Sequence, residues 1–145
     1  MIEYACILPH PPGVNLIWRT GRGRVYKSAS AVKWDQDAMI LLRAAGWRPL
    51  PPGHYWLALG CVLHTVRHDI DSCLKLALDA VAAALGVDDA CIGALSVAKV
   101  PVGTRAEQRL GLVARVYPVA DPDEWADRSR RAVPAHESQL LNTSR

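Results

Sequence analysis

Residues 54–86 read HYWLALGCVLHTVRHDIDSCLKLALDAVAAALG, and the two ends of this stretch have different periods. Residues 54–63 form a nearly unbroken apolar run of strand length, set off by Pro49, Pro51, Pro52 and Gly53. Such a run reads as a buried strand. Residues 72–85 are apolar almost all round and rich in Ala and Leu, which predicts a buried helix. Gly86 then supplies a residue that can take the left-handed conformation at the helix end.

Outward from this core the pattern repeats. Upstream, residues 30–45 place Ala31, Trp34, Ala38, Leu41, Leu42 and Ala45 at helical spacing, closed by Gly46. Residues 2–8 read as a first strand ended by Pro9, and the proline-rich residues 9–13 as a rigid loop. In residues 18–27 the run Thr20-Gly21-Arg22-Gly23-Arg24 is a turn that could join two short strands. Downstream, residues 91–100 and 110–119 read as strands separated by a turn around Gly103. The expected architecture is α+β (mixed α/β), with the order β-(β)-α-β-α-β-β. A mixed sheet covered by two helices would make one domain over residues 1–120. Residues 121–145 are polar and read as a tail, opening with a short helix around Trp125 and disordered beyond it.

Composition narrows the class. The 145 residues suffice for one domain, and no apolar run approaches the roughly 18 residues a membrane span needs. An acid at Glu3, where an export signal would be basic, points to the cytoplasm. Cys6, Cys61, Cys73 and Cys91 form no close pair and sit in apolar stretches, so they read as small buried hydrophobes in a reducing compartment. The net charge of +3 is concentrated in Arg19, Arg22, Arg24, Lys27 and Lys33, a run that could contact several phosphates or serve as a solvated surface.

Chemistry concentrates between strand and helix. The negative charges of Asp69 and Asp71, one residue apart, repel each other unless a cation lies between them. Hard ions such as Mg²⁺ are commonly held by one or two carboxylates together with water and substrate phosphates. A helix-capping role for Asp71 or Ser72 is the competing explanation, and it accounts for only one of the two aspartates. Asp71, Lys75 and Asp79 fall on one helical stripe, so Lys75 either pairs with Asp79 or faces a reacting phosphate. His64 and His68 have a metal-ligand spacing only on a helix, and this stretch leaves a strand, so they are set aside. Gly21 and Gly23 lack the strand–helix setting of a dinucleotide site.

The run Asp69-Ile70-Asp71-Ser72-Cys73-Leu74-Lys75, with Asp79-Ala80 and Asp88-Asp89 after it, resembles the signature of the RusA family of Holliday junction resolvases. Leu8-Pro9-His10-Pro11-Pro12-Gly13-Val14-Asn15 is similar to that family's opening motif, as are Arg22-Gly23-Arg24 and Lys99-Val100-Pro101. The likeness runs in order from about residue 3 to residue 118. It implies a homodimeric, Mg²⁺-dependent (or Mn²⁺-dependent) endonuclease that nicks four-way DNA symmetrically in recombination and repair, often phage-borne. Asp69, Asp71 and Asp89 would hold the metal, and Lys75 would be the catalytic lysine. Asn15, Arg19, Arg22, Arg24, Lys27 and Arg67 would meet DNA.

Ser72 departs from the family's asparagine, and the basic segment before Asp69 is thinned to His64, Arg67 and His68. The alternative is therefore a catalytically lapsed module that binds branched DNA or a protein partner. One geometric expectation follows from a straight helix over residues 72–85, whose ends lie roughly 20 Å apart. Asp71 and Asp89 would then sit at opposite ends, and Asp89 could serve the partner's site across a two-fold axis lined by an apolar helix face.

Overall fold

A computed structural model describes residues 1–132. It has α+β architecture, with strands β1 (Ile2–Pro9), β2 (Trp18–Gly21), β3 (Arg24–Lys27), β4 (His54–Thr65), β5 (Ile92–Pro101) and β6 (Arg109–Val119). The α-helices are α1 (Ala29–Ala44), α2 (Leu74–Leu85) and α3 (Pro122–Ala132). Four strands make one mixed sheet in the order β1-β6-β4-β5, in which β4 and β5 are parallel and the other neighbours antiparallel. Parallel pairing of β4 and β5 requires a crossover, and α2 provides it.

Period-2 alternation assigns the faces of the sheet. Leu57, Leu59, Cys61, Leu63 and Thr65 of β4, with Leu110, Leu112, Ala114 and Val116 of β6, are buried on the face that α1 and α2 cover. Trp34 and Trp47 complete this core, and each indole N–H donates to a carbonyl of β1, Trp34 to Pro9 (2.9 Å) and Trp47 to Ala5 (3.3 Å). The Arg43 guanidinium donates to the Ala84 carbonyl (2.9 Å), tying α1 to the last turn of α2. Gly86 follows in the left-handed conformation, φ 67°, as the sequence leads one to expect.

Three readings change. The helix expected over residues 72–85 begins at Leu74 because residues 69–73 form a turn of their own. Around Gly103 the link contains a short 3-10 turn, Arg105–Glu107, closed by a reciprocal Thr104–Glu107 capping box. The third concerns the two-fold axis. The apolar surface of α2 is consumed in its own core through Leu76, Ala77, Ala80, Val81, Ala84 and Leu85, so it is not left over for a partner. Apolar residues remain instead on the far face of the sheet, where Ile7 is 65% exposed beside Val62 and Ala98.

Among the described residues, only one end of that far face is covered. There α3 packs across it, with Arg128 over the Tyr117 ring (5.3 Å) and Tyr117 edge-on to Trp56 (5.4 Å). This helix is the one expected around Trp125; the disorder expected beyond it falls outside the described residues.

Trp56 explains an irregularity in β5. Leu57 pairs with Ile92 and Ala58 with Ala94, so Gly93 is the extra residue of a bulge. A Cβ on Gly93 would stand 2.0 Å from the Trp56 indole nitrogen. Gly93→Ala is therefore expected to destabilise the fold by about 1–3 kcal/mol. The shift of the urea unfolding midpoint at unchanged slope measures this.

Candidate functional site

The acidic turn, residues 66–73, leaves the end of β4 and is fastened at its root. Buried Thr65 accepts the His68 N–H at its hydroxyl (3.2 Å) and donates that hydroxyl to Gln108 Oε1 (3.3 Å). Gln108 Oε1 also accepts the Val66 N–H (3.1 Å). From β5, Lys99 Nζ donates to the His68 carbonyl (3.2 Å). Within the turn, the Ser72 N–H and hydroxyl both donate to the Asp69 carbonyl (3.2 and 2.8 Å), and the Leu74 N–H donates to the Asp71 carbonyl (3.1 Å).

These are backbone carbonyls, so the carboxylates stay available. The N-cap position belongs to Cys73 and has no side-chain cap, which removes helix capping as an explanation for Asp71 or Ser72. Asp69 and Asp71 are exposed, and among the described residues neither carboxylate has a hydrogen-bond or ion-pair partner. Two unpaired hard oxygen donors on a pinned turn fit an ion that takes one or two carboxylates.

Lys75, in the first turn of α2, is half-exposed and not embedded in an apolar face. Its ammonium contacts Asp79 (2.7 Å) and lies 3.8 Å from Asp89 of its own chain. The hydrogen bond to Asp79, followed by the charges of Asp79 and Asp89, raises its pKa above the ordinary lysine value, so the side chain stays a cation. The two neighbouring aspartates divide their work. Asp88 caps the short turn Asp89–Cys91 by accepting the Ala90 N–H (2.8 Å), a bond that holds its carboxyl below the usual range. Asp89 is left facing Lys75. The chain doubles back after Gly86, which brings Asp89 within reach of the lysine of the first turn. A three-aspartate cage is not formed, since no three His, Cys, Asp or Glu side chains among the described residues stand close enough to hold one ion.

Loop chemistry adds a histidine pair. His10 and His68 stack at 4.5 Å between ring centroids, and the Cys73 thiol lies 4.0 Å from His10 Nε2. Burial, reinforced by the His68 charge, lowers the His10 pKa and favours its neutral form. Cys61 and Cys73 are buried as expected, whereas Cys6 and Cys91 are only partly so. All four are free, and burial pushes the Cys61 thiol up to about 11 and raises that of Cys73.

The basic run folds into the β2–β3 hairpin, turned by Arg22 and Gly23 with φ of 49° and 72°. The hairpin is built onto the acidic turn. At its base, the Val14 N–H donates to the Ser72 carbonyl (2.8 Å), and the buried Ser28 hydroxyl donates to the Leu16 carbonyl (2.6 Å). Asn15, Arg19, Arg22 and Arg24 are exposed, and the three arginines have no ion-pair partner among the described residues. Lys27 differs, because its ammonium is held by Asp35. Arg67 is exposed on the acidic turn itself. Thr65, Lys99, Arg105 and Gln108 carry no local sequence signal for the roles they take here; only Lys99 belongs to a motif.

Comparison with protein-family models and with curated proteins found no match. No helix among the described residues is long and apolar enough to cross a membrane.

The root of the turn is testable without knowing the activity. Thr65→Val keeps the shape but strands the part-buried His68 N–H, an expected loss of about 1–3 kcal/mol. Amide exchange at residues 66–69 should accelerate, and hydrogen-exchange mass spectrometry on both proteins reads it.

Proposed function

We propose that the chain is a magnesium-dependent, structure-selective DNA endonuclease of the RusA kind, which cuts four-way junctions by paired nicks as a cytoplasmic homodimer. The observation that carries this reading is the unpartnered pair Asp69 and Asp71 on a turn braced from three sides. From Asp69 to Asp89 the chain holds five aspartates and one lysine, a formal charge of −4. A phosphodiester is repelled by such a segment unless cations offset it. Asp69 and Asp71 would hold the ion, which when bound activates water and stabilises charge on the phosphoryl oxygens. Lys75, kept protonated by its two carboxylate neighbours, cannot act as a base near neutral pH. It donates to a phosphate oxygen, and Asp79 and Asp89 aim it. Arg19, Arg22 and Arg24 hold the backbone of a junction arm, and Asn15 stands at the base of their hairpin.

The second reading is a module that binds branched DNA without cutting it. Two observations favour it: the Ser72 hydroxyl is spent on the Asp69 carbonyl, and no third carboxylate among the described residues joins the pair.

A synthetic mobile four-way junction with Mg²⁺ or Mn²⁺, beside a matched linear duplex, decides between them. Symmetric nicks are expected from the wild type, with Asp71→Asn slower by about 10²-fold or more and binding kept. Lys75→Met should slow the chemical step comparably in single-turnover assays. Tight junction binding with no nicks from the wild type in either metal would leave the binding module.

A further inference from the structure

A concavity opens beside the acidic turn. It is a cleft of about 310 Å³ lined by Val66, Arg67, His68, Arg105 and Gln108. Arg67, His68, Arg105 and Gln108 line it together with Val66, and no aspartate or glutamate does. Neither Arg67 nor Arg105 has an ion-pair partner among the described residues. The acid nearest in sequence to Arg105 is already engaged, because the Glu107 carboxylate accepts the Thr104 N–H (2.8 Å) and hydroxyl (3.0 Å).

The floor is fixed as well. Gln108 turns its amide oxygen to the Val66 N–H and the Thr65 hydroxyl, which leaves its NH₂ without a partner among the described residues. Two arginines and an amide line one hollow with no acid among them, so an anion would supply the missing counter-charge. The planar guanidinium fork matches two oxygens of a phosphate at once.

We propose that this cleft is an oxyanion site that seats one phosphodiester of a bound nucleic acid, next to the acidic turn and separate from it. Only the identity of the polymer rests on the nuclease reading; the anion chemistry stands on the lining alone. Arg67 comes from the acidic turn and Arg105 from the link between β5 and β6, so a seated phosphate would bridge the two and set the strand's register against Asp69.

Inorganic phosphate is the first probe, followed through the Arg Nε–H resonances of ¹⁵N-labelled protein. Saturable shifts at Arg67 and Arg105 are expected, with affinity about tenfold weaker in Arg105→Gln and in Arg67→Gln. Arg115→Gln should bind phosphate as the wild type does, since Arg115 sits on β6 in an ion pair with Glu3. Shifts that never saturate, or that persist equally in the cleft variants, overturn the site. Four-way and duplex DNA form the second arm. There Arg105→Gln should weaken binding about five- to tenfold and reduce the salt slope by about one. Phosphate binding lost with DNA binding unchanged overturns the phosphodiester assignment. Saturable phosphate binding beside no DNA binding by any variant strikes the nuclease reading and leaves a site for free phosphate.

Discussion

The end of β4 is the point from which the rest of this molecule is hung. At Thr65 the strand runs out between two neighbours, and its buried hydroxyl satisfies His68 on one side and Gln108 on the other. A buried hydroxyl that accepts and donates at once has little freedom to be elsewhere, since either bond left unmade carries a desolvation cost. The acidic turn inherits that rigidity. Its carboxylates can stay exposed and unpartnered because backbone and root hold the turn in place.

The core is legible in the sequence where the signal is local. The unbroken apolar run of β4, the Ala/Leu-rich α2 and its glycine stop each follow from composition and period within one element. The hairpin is legible too, since Arg22-Gly23 sits between two short β-prone runs. Less legible is the start of α2, where two residues are claimed by turn bonds to Asp69 and Asp71 that compete with helical ones.

The site was harder to read because its distances are set by reversals and long side chains. A straight-helix argument puts Asp71 and Asp89 far apart, yet the chain turns at Gly86 and the lysine stem spans the remaining gap to Asp89. The exposure of Lys75 has a related reason. A helix that is apolar on nearly every side can still present alanines to water at little cost, so Lys75 and Ala83 share an exposed edge. Residues 43 positions apart, such as Thr65 and Gln108, leave no trace in any local window.

The single backbone bond from Val14 to Ser72 has a mechanical consequence. It ties the root of an arginine-bearing arm to the residue beside Asp71, while Ser28 clamps the other side of that root to α1. An arm levered by a ligand at its tip, with its pivot clamped on one side, transmits its tilt through the remaining attachment. Force on the arm therefore reaches the residue beside Asp71, where the fastened root of the turn bears it.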